Sequence, residues 1–455
     1  MTRCSIVPPH VLAALARSAQ SAPALVAART LAIDASLRHG RGPVRPRPTA
    51  VSPGGADDSG PRRTVYDARG TEDLPGVAVR AEGDPPTGDA AADEAHDGLG
   101  LTWELWAREY GRDSLDGAGM PLLATVHYAD RYDNAFWDGA QMVFGDGDGE
   151  IFTRFTASLD VIGHELAHGV TEHTAALAYR GQSGALNEHV SDVFGVLVKQ
   201  RHLNQSATEA DWLIGAELLA PGVQGRALRS MADPGSAYDD PRMGQDPQPG
   251  HMDGFVHTSD DNGGVHINSG IPNKAFYLAA TTIGGPAWQA PGRIWCDVLT
   301  GEIAPDCDFA TFAALTIAAS EARYGAGSAE TVAVSGAWEQ VGVTAAGEGE
   351  GEVPPVESPA EEPARMQLTR SGGVAGMARS RELSLAELSE PDARAFRSII
   401  EGPQLHRLAD ERPGRPDAFC YGLQCDRPEL DVQVAESVLP RSTRDLFDRT
   451  LRREG

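Results

Sequence analysis

The sequence predicts an α+β chain: a β-rich first lobe, a helical second lobe, and a separate small α+β domain toward the C-terminal end. Three observations predict it. Strand-like runs punctuated by Gly and Asp turns occupy residues 63–159, whereas helical apolar periodicity takes over across 160–344. An acidic break at 345–365, Gly347-Glu-Gly-Glu-Gly-Glu352 followed by Val-Pro-Pro-Val, then sets 366–455 apart. A chain of 455 residues has room for two or three domains, each with its own core.

In chain order, residues 1–50 read as a short arm and linker. Alanine-rich sequence with scattered arginines follows Met1–Leu12, and Pro8, Pro9 and His10 interrupt the apolar run that a secretory signal requires. Without such a signal, the expected location is the cytoplasm, or the exterior by a non-classical route. Residues 43–62, rich in Gly, Pro, Arg, Ser and Asp, read as an exposed linker open to proteolytic cutting. In the β-rich lobe, Thr64–Tyr66, Val77–Val79 and Leu122–Tyr128 are strand-like, and one helix from about Gly88 to Tyr110 carries Ala91, Ala95, Leu99, Trp103 and Trp106. Asp146-Gly-Asp-Gly-Glu150 is a tight turn, because it lacks the twelve-residue spacing of a calcium loop.

Charge and cysteine content exclude several functions. A net charge of −26 argues against nucleic acid and against anionic membranes as partners. No apolar run reaches the length of a membrane span. Cys4, Cys296, Cys307, Cys420 and Cys425 are too sparse for a disulfide framework, although Cys296/Cys307 or Cys420/Cys425 could pair.

The helical lobe opens on Val161-Ile-Gly-His-Glu-Leu-Ala-His-Gly-Val170. On a helix, His164 and His168 lie one turn apart on one face, while Ile162, Leu166 and Val170 form an apolar stripe. Asp160 sits where an N-cap would sit. Two imidazoles with Glu165 beside them make a zinc site with a base near its water. A second helical pattern, Ala185-Leu-Asn-Glu-His-Val-Ser-Asp192, places Glu188 and Asp192 one turn apart. Glu188 then supplies the third ligand, leaving the fourth position to water. Asp192 holds a ligand imidazole, that of His164, through its far ring nitrogen.

These two segments resemble the thermolysin family of zinc endopeptidases, and the resemblance runs from about Arg63 to Thr344. Asn134-Ala-Phe-Trp137, Ala227-Leu-Arg-Ser-Met231 and Asp261-Asn-Gly-Gly-Val-His-Ile-Asn-Ser269 support it. The resemblance implies a two-lobe fold with the zinc helix between the lobes, and hydrolysis of protein or peptide substrates with Glu165 as base. It implies that Asn134 and Ala135 lie on an edge strand that pairs with substrate backbone. Tyr179 and His266 would stabilise the oxyanion, with Asp261 orienting His266. Arg229 would grip a substrate carbonyl, and Phe155, Val161 and Leu228 would line an apolar pocket for the residue after the scissile bond. Ser5-Ile-Val-Pro-Pro-His10 resembles the short propeptide motif of the leaderless protealysin branch, which implies a zymogen whose arm covers the active site; Cys4 is not counted among the ligands.

One position departs from the family. Asp160 is retained, but Lys199 stands where its paired calcium site needs a carboxylate, and the next acidic cluster is thinned to Asp211 and Glu217. An ammonium there opposes a divalent cation, so the paired calcium site is expected to be lost. His173 and His189 are read as surface side chains. The acidic, proline-rich 345–365 reads as an extended spacer.

Beyond the spacer, strands at Met366–Thr369 and Asp431–Val434 and helices at Pro391–Ile400 and Ser442–Leu451 make a small domain. Leu368-Thr-Arg-Ser-Gly-Gly-Val-Ala-Gly376, Arg415–Tyr421 and Val438-Leu-Pro440 resemble emfourin, an inhibitor of protealysin-like enzymes, which implies a tethered brake. A carbohydrate- or cell-wall-binding module is the other reading of this domain. For the whole chain, the alternative is a catalytically silent zinc-binding scaffold, against which the retention of Glu165, Tyr179 and His266 speaks.

Overall fold

The structure is a computed structural model that describes residues 5–18, 21–38, 60–345, 365–371, 379–384, 388, 396, 419–426, 429–435, 439 and 441–452. The chain divides into two units, residues 1–349 and 350–455. The spacer from 346 to 364 and most of the 43–62 linker lie outside the described residues, as do Cys4 and, apart from Phe396, the helix expected at 391–400.

Two helices open the first unit, α1 (Pro9–Arg17) and α2 (Ala22–Arg38). Proline suits the first position of α1 because its missing N–H would have no helical partner there. Val11, Leu12 and Leu15 make one buried stripe. The lobe that follows is a sheet of β1 (Arg63–Asp67), β2 (Val77–Ala81), β3 (Leu122–Val126), β4 (Ala135–Trp137) and β5 (Met142–Phe144) in the order β2-β1-β3-β5-β4. β1, β3 and β5 run parallel, while β2 and β4 are antiparallel to their neighbours. That order leaves β4 on an edge, where another chain segment can reach its backbone. α3 (Ala90–Glu104) starts where Asp89 accepts the amides of Ala91 and Ala92, and it continues as a π-helical turn, Leu105–Glu109.

The second lobe is built on α4 (Leu159–Glu172) and α5 (Gly181–Leu203), both buried along most of their length. Asp160 is not the N-cap. Ser158, in extended conformation, precedes the helix, and Asp160 sits fully buried inside the first turn. There its carboxylate takes the Ser158 hydroxyl, the Gly215 amide and the Lys199 ammonium, which a capping position could not reach together. α4 and α5 cross through glycines. A Cβ on Gly195 would lie 2.4 Å from Asp160 O, and one on Gly163 would lie 3.0 Å from Gly195 Cα. Any larger residue would force the two helices apart and separate the side chains they present to each other.

β6 (Leu213–Ile214) pairs antiparallel with β7 (Arg229–Ser230), which fixes the backbone of Arg229. A short ladder of β8 (Asp239–Asp240) and β9 (Gly244–Gln245) follows. The rest of the lobe is α6 (Asp261–Asn268), α7 (Gly270–Ile283), α8 (Ala290–Thr300), α9 (Phe309–Tyr324) and α10 (Ala329–Gln340). Among the described residues no helix is long and apolar enough to cross a membrane.

The second unit is a four-stranded antiparallel sheet in the order β11-β10-β12-β13, made of β10 (Arg365–Ser371), β11 (Arg379–Ser384), β12 (Cys420–Asp426) and β13 (Glu429–Ala435), with α11 (Arg441–Arg452). Met366 and Leu368, Tyr421, Leu423 and Cys425, and Val432 and Val434 alternate with the strand period of two, and they share a core with Leu446 and Phe447 of α11. Cys296 and Cys307 are not joined to each other, and neither are Cys420 and Cys425. For the second pair the reason is plain: five residues apart on one strand, they point to opposite faces.

Candidate metal centre and peptide cleft

The crossing of α4 and α5 brings three donors together. His164 Nε2 and His168 Nε2 are 3.1 Å apart, and the Glu188 carboxylate sets Oε2 3.6 Å from the first and Oε1 3.6 Å from the second. All three residues are buried. Ligand atoms around a tetrahedral zinc with bonds of ~2.0–2.1 Å stand about 3.3 Å apart, and these distances bracket that value. The proton positions agree with such an ion. His164 Nδ1 is 2.8 Å from Asp192 Oδ1, and His168 Nδ1 is 2.8 Å from Asn187 Oδ1, whose amide nitrogen is engaged by Leu177 O. Both neighbours are acceptors, so each Nδ1 carries the proton and each Nε2 presents a lone pair. Two lone pairs and a carboxylate therefore converge. This donor set fits zinc.

The charges follow from the same contacts. Burial holds His168 down, to about 4, against the opposing pull of Glu188. Burial would raise Glu188, but the nearby His266, His168 and His164 outweigh it and bring the carboxyl to about 2. Burial also works against an ionised Asp192, yet Arg229 and His164 hold it far below the usual carboxylate range.

Glu165 shares α4 with the histidines but is not among the converging donors. Its Oε2 accepts the Trp137 amide at 3.0 Å, while Oε1 is buried without a hydrogen bond. Burial, then the Glu188 charge, pushes its carboxyl well above the usual range. A divalent cation between the imidazoles would pull it back down. Tyr179 OH donates to Glu188 Oε1 at 2.5 Å and lies 3.2 Å from His266 Nε2. Four successive left-handed residues, Asp261 to Gly264, turn the chain back so that Asp261 meets the ring five positions later. Asp, Asn and Gly are the residue types that tolerate that conformation. Asp261 Oδ1 is 2.7 Å from His266 Nδ1, and Oδ2 accepts the His266 amide. Burial disfavours a charged His266, but Asp261 and Glu188 prevail and raise it to about 9.

The N-terminal arm lies on this centre. Ile6 N–H donates to Ala135 O at 3.1 Å, which adds the arm to the free edge of β4. Asn134 Oδ1 accepts the Val7 amide at 2.9 Å, and Arg229 Nη1 donates to Ile6 O at 3.2 Å. Arg229 is itself braced by two bonds to Asp192. Ile6 and Val7 are wholly buried and belong to the same apolar cluster as Phe155, Val161 and Leu228. His10 Nε2 reaches Tyr238 OH at 3.2 Å.

Several residues of the site carry no signal in the sequence. Asp34 of α2 accepts from Tyr132 OH and from Asn134 Nδ2, and Thr30 Oγ1 accepts the Asp133 amide, so α2 clamps the segment before β4. An acidic residue in an alanine-rich helix was the one available hint. Asn187 could have been suspected from its place beside Glu188. His173 is exposed, as expected. His189 is not: it is 0% exposed, because its side chain points from α5 into the packing of α7 and α8, where it meets Asn273 and Trp295. Burial keeps it neutral, at about 4. The Lys199 ammonium lies 3.1 Å from both Asp160 and Asp211 and 3.9 Å from Glu217. Burial works against its charge, but Asp160, Glu217 and Asp211 raise its pKa above the usual lysine value.

Residues 61–172 match the family described as thermolysin metallopeptidase, catalytic domain, and residues 175–343 match its alpha-helical domain. Residues 368–451 match the family described as emfourin. An extracellular metalloprotease of Pectobacterium carotovorum subsp. carotovorum is 51% identical over 341 residues, 75% of this chain and 96% of that protein. Protease PrtS of Photorhabdus sp. (strain Az29) is 55% identical over 258 residues, 56% of this chain and 70% of that protein. Among solved structures, the precursor of protealysin, a metalloproteinase from Serratia proteamaculans, superposes with a TM-score of 0.68 at 49% identity, covering 75% of this chain and all of that one.

Proposed function

This chain belongs to the thermolysin family of metallopeptidases, and on that premise we propose a zinc-dependent endopeptidase made in latent form and held by its own two ends. One observation carries the proposal: Ala135, Asn134 and Arg229 all bond the extended backbone at Ile6–Val7, as they would bond a substrate lying across the site. The names of the relatives lead us to place its action outside the cell.

Zinc held by His164, His168 and Glu188 would supply Lewis acidity and lower the pKa of a water toward about 7. The remaining work falls to the chain. Asn134 and Ala135 align the substrate strand, and Arg229 fixes a carbonyl while its carboxylate brace keeps the guanidinium rigid. Glu165, with one oxygen free of hydrogen bonds, takes the proton of the attacking water and returns it to the leaving amine. Tyr179 and His266 donate to the charge that develops on the scissile carbonyl oxygen, and Asp261 keeps the His266 ring charged and oriented. The apolar lining from Phe155, Val161 and Leu228 favours an apolar residue after the scissile bond. The silent-scaffold alternative leaves Glu165, Tyr179 and His266 without a task.

The emfourin match supports reading the C-terminal unit as a brake on the same enzyme. A spacer of about 20 residues holds a tethered domain near millimolar effective concentration, enough for a modest binder to occupy the cleft. With the arm removed from both proteins, residues 1–345 should hydrolyse casein faster than the full chain, and added 366–455 should restore the inhibition. Zinc chelation should abolish activity in both. If truncation leaves the rate unchanged and the added domain does nothing, the unit is a binding module instead.

We further propose that Lys199 does the work of a bound cation, so that this chain needs no calcium at the Asp160 cluster. Its raised pKa means that its contribution to stability is complete below the unfolded lysine value of about 10.4 and is lost only as pH rises past the folded one. Lys199→Met should cost about 3 kcal/mol by leaving the buried Asp160 charge unpaired. Thermal unfolding of the wild type should be indifferent to millimolar calcium, and a calcium-dependent rise in its midpoint would refute the substitution.

A further inference from the structure

Behind the metal centre runs a chain of buried polar groups whose direction is fixed at its far end. Trp295 Nε1, which can only donate, lies 2.8 Å from His189 Nε2. His189 Nε2 therefore accepts, and the ring proton sits on Nδ1, 2.8 Å from Asn273 Oδ1. That contact fixes the Asn273 amide with its nitrogen facing the other way, 2.9 Å from Asp192 Oδ2. Asp192 in turn accepts from Nδ1 of His164 at 2.8 Å. Trp295, His189, Asn273, Asp192 and His164 are all fully buried.

We infer that His189 and Asn273 are positioning residues for the metal centre, which set the sense of the hydrogen bonds reaching Asp192 and thereby the orientation of the His164 imidazole. The alternative sense is costly at two points. A flipped Asn273 would turn its oxygen on the Asp192 carboxylate and its NH2 on the protonated Nδ1 of His189. Trp295 blocks the compensating change, since moving the His189 proton to Nε2 would set donor against donor. One tautomer survives. The indole in α8 thus selects the amide orientation in α7, and the amide delivers a donor to the carboxylate that holds a proposed zinc ligand on α4.

This inference rests on the zinc reading above, so the test includes wild-type zinc content as its reference. The measurement is the rate at which a chromophoric chelator removes zinc, together with the visible spectrum of the cobalt-substituted protein. Asn273→Asp replaces the donor facing Asp192 with a second carboxylate and should speed zinc loss by about 10- to 100-fold, the range for residues that orient metal ligands. His189→Leu removes one of the two contacts that hold the amide, leaving only Asp192, and should speed it by about tenfold, the lower end of that range. Both should shift the cobalt spectrum. Phe312→Leu is the packing control: its ring lies edge-on to His189 with centroids 5.9 Å apart and carries no polar atom. It should lower the thermal midpoint and leave zinc release and spectrum unchanged. Should His189→Leu fail to fold, Trp295→Phe removes the fixing N–H while retaining an aromatic ring, and its release rate decides. Folded variants that release zinc at the wild-type rate overturn the inference. A wild type without stoichiometric zinc would instead overturn the metal assignment beneath it.

Discussion

Glu165→Gln should retain its zinc and lose peptide hydrolysis by about 10²- to 10⁴-fold, the span of a general acid–base contribution. At the upper end this is about 5.5 kcal/mol of transition-state stabilisation. The amide is nearly isosteric, and its oxygen can still accept the Trp137 N–H that Glu165 Oε2 accepts at 3.0 Å. Oε1, buried and free of hydrogen bonds, loses the ability to take a proton. Glu188→Ala should behave oppositely, losing metal because one of three converging donors is gone. The two variants also part company in the metal-free protein. Burial and the Glu188 charge both penalise an ionised Glu165, so Gln should raise the thermal midpoint of the apo form. Metal analysis, a peptide assay and apo melting curves separate these outcomes. Near-normal turnover in Glu165→Gln, or stoichiometric zinc in Glu188→Ala, would overturn the roles assigned to them.

The metal donors were legible because each half of the set is local to one helix. Spacing of four residues puts His164 and His168 on one face, and likewise Glu188 and Asp192, whatever surrounds them. What spacing does not carry is where the two helices touch. The contact runs through Gly163 and Gly195, and nothing in the sequence singles out that pair from the other glycines nearby. His189 shows the same limit from the other side. It is one residue from Glu188 and so points about 100° around α5, toward α7 and α8, whose position the periodicity of α5 does not encode. Its polarity suggested solvent, whereas Trp295 and Asn273 satisfy it in the core. Asp160 was misplaced as a cap for a related reason: the Gly215 amide, and the Lys199 ammonium that marks the calcium departure, draw it inward from distant segments. The seat of the arm was legible only through family resemblance, since Asp34 and Asn134 are 100 residues apart and their bond leaves no local pattern.

The full-length wild type should be latent, and Ile6→Asp should release that latency. Ile6, Val7, Val11, Leu12 and Leu15 are all 0% exposed, and burying each such aliphatic side chain contributes about 1.5–3 kcal/mol. The arm is also tethered, so it competes with substrate as an intramolecular ligand rather than a dilute one. Asp34 adds a polar anchor: its removal would orphan Tyr132 OH at about 1–3 kcal/mol and leave Asn134 Nδ2 with only its longer bond to Val7 O. An aspartate at position 6 would put a negative charge where Ile6 is wholly buried in the apolar cluster, a placement that burial opposes. Wild type should therefore hydrolyse a short peptide only after a lag, during which a new N-terminus appears in the 43–62 linker. Ile6→Asp should shorten or abolish the lag, Asp34→Ala should shorten it less, and Glu165→Gln should remain full length if the cut is made by the enzyme itself. Reaction progress curves and N-terminal sequencing of the same samples read all three. An intact wild type that hydrolyses peptide without a lag, or an Ile6→Asp protein with the wild-type lag, would show that the arm does not close the cleft in solution.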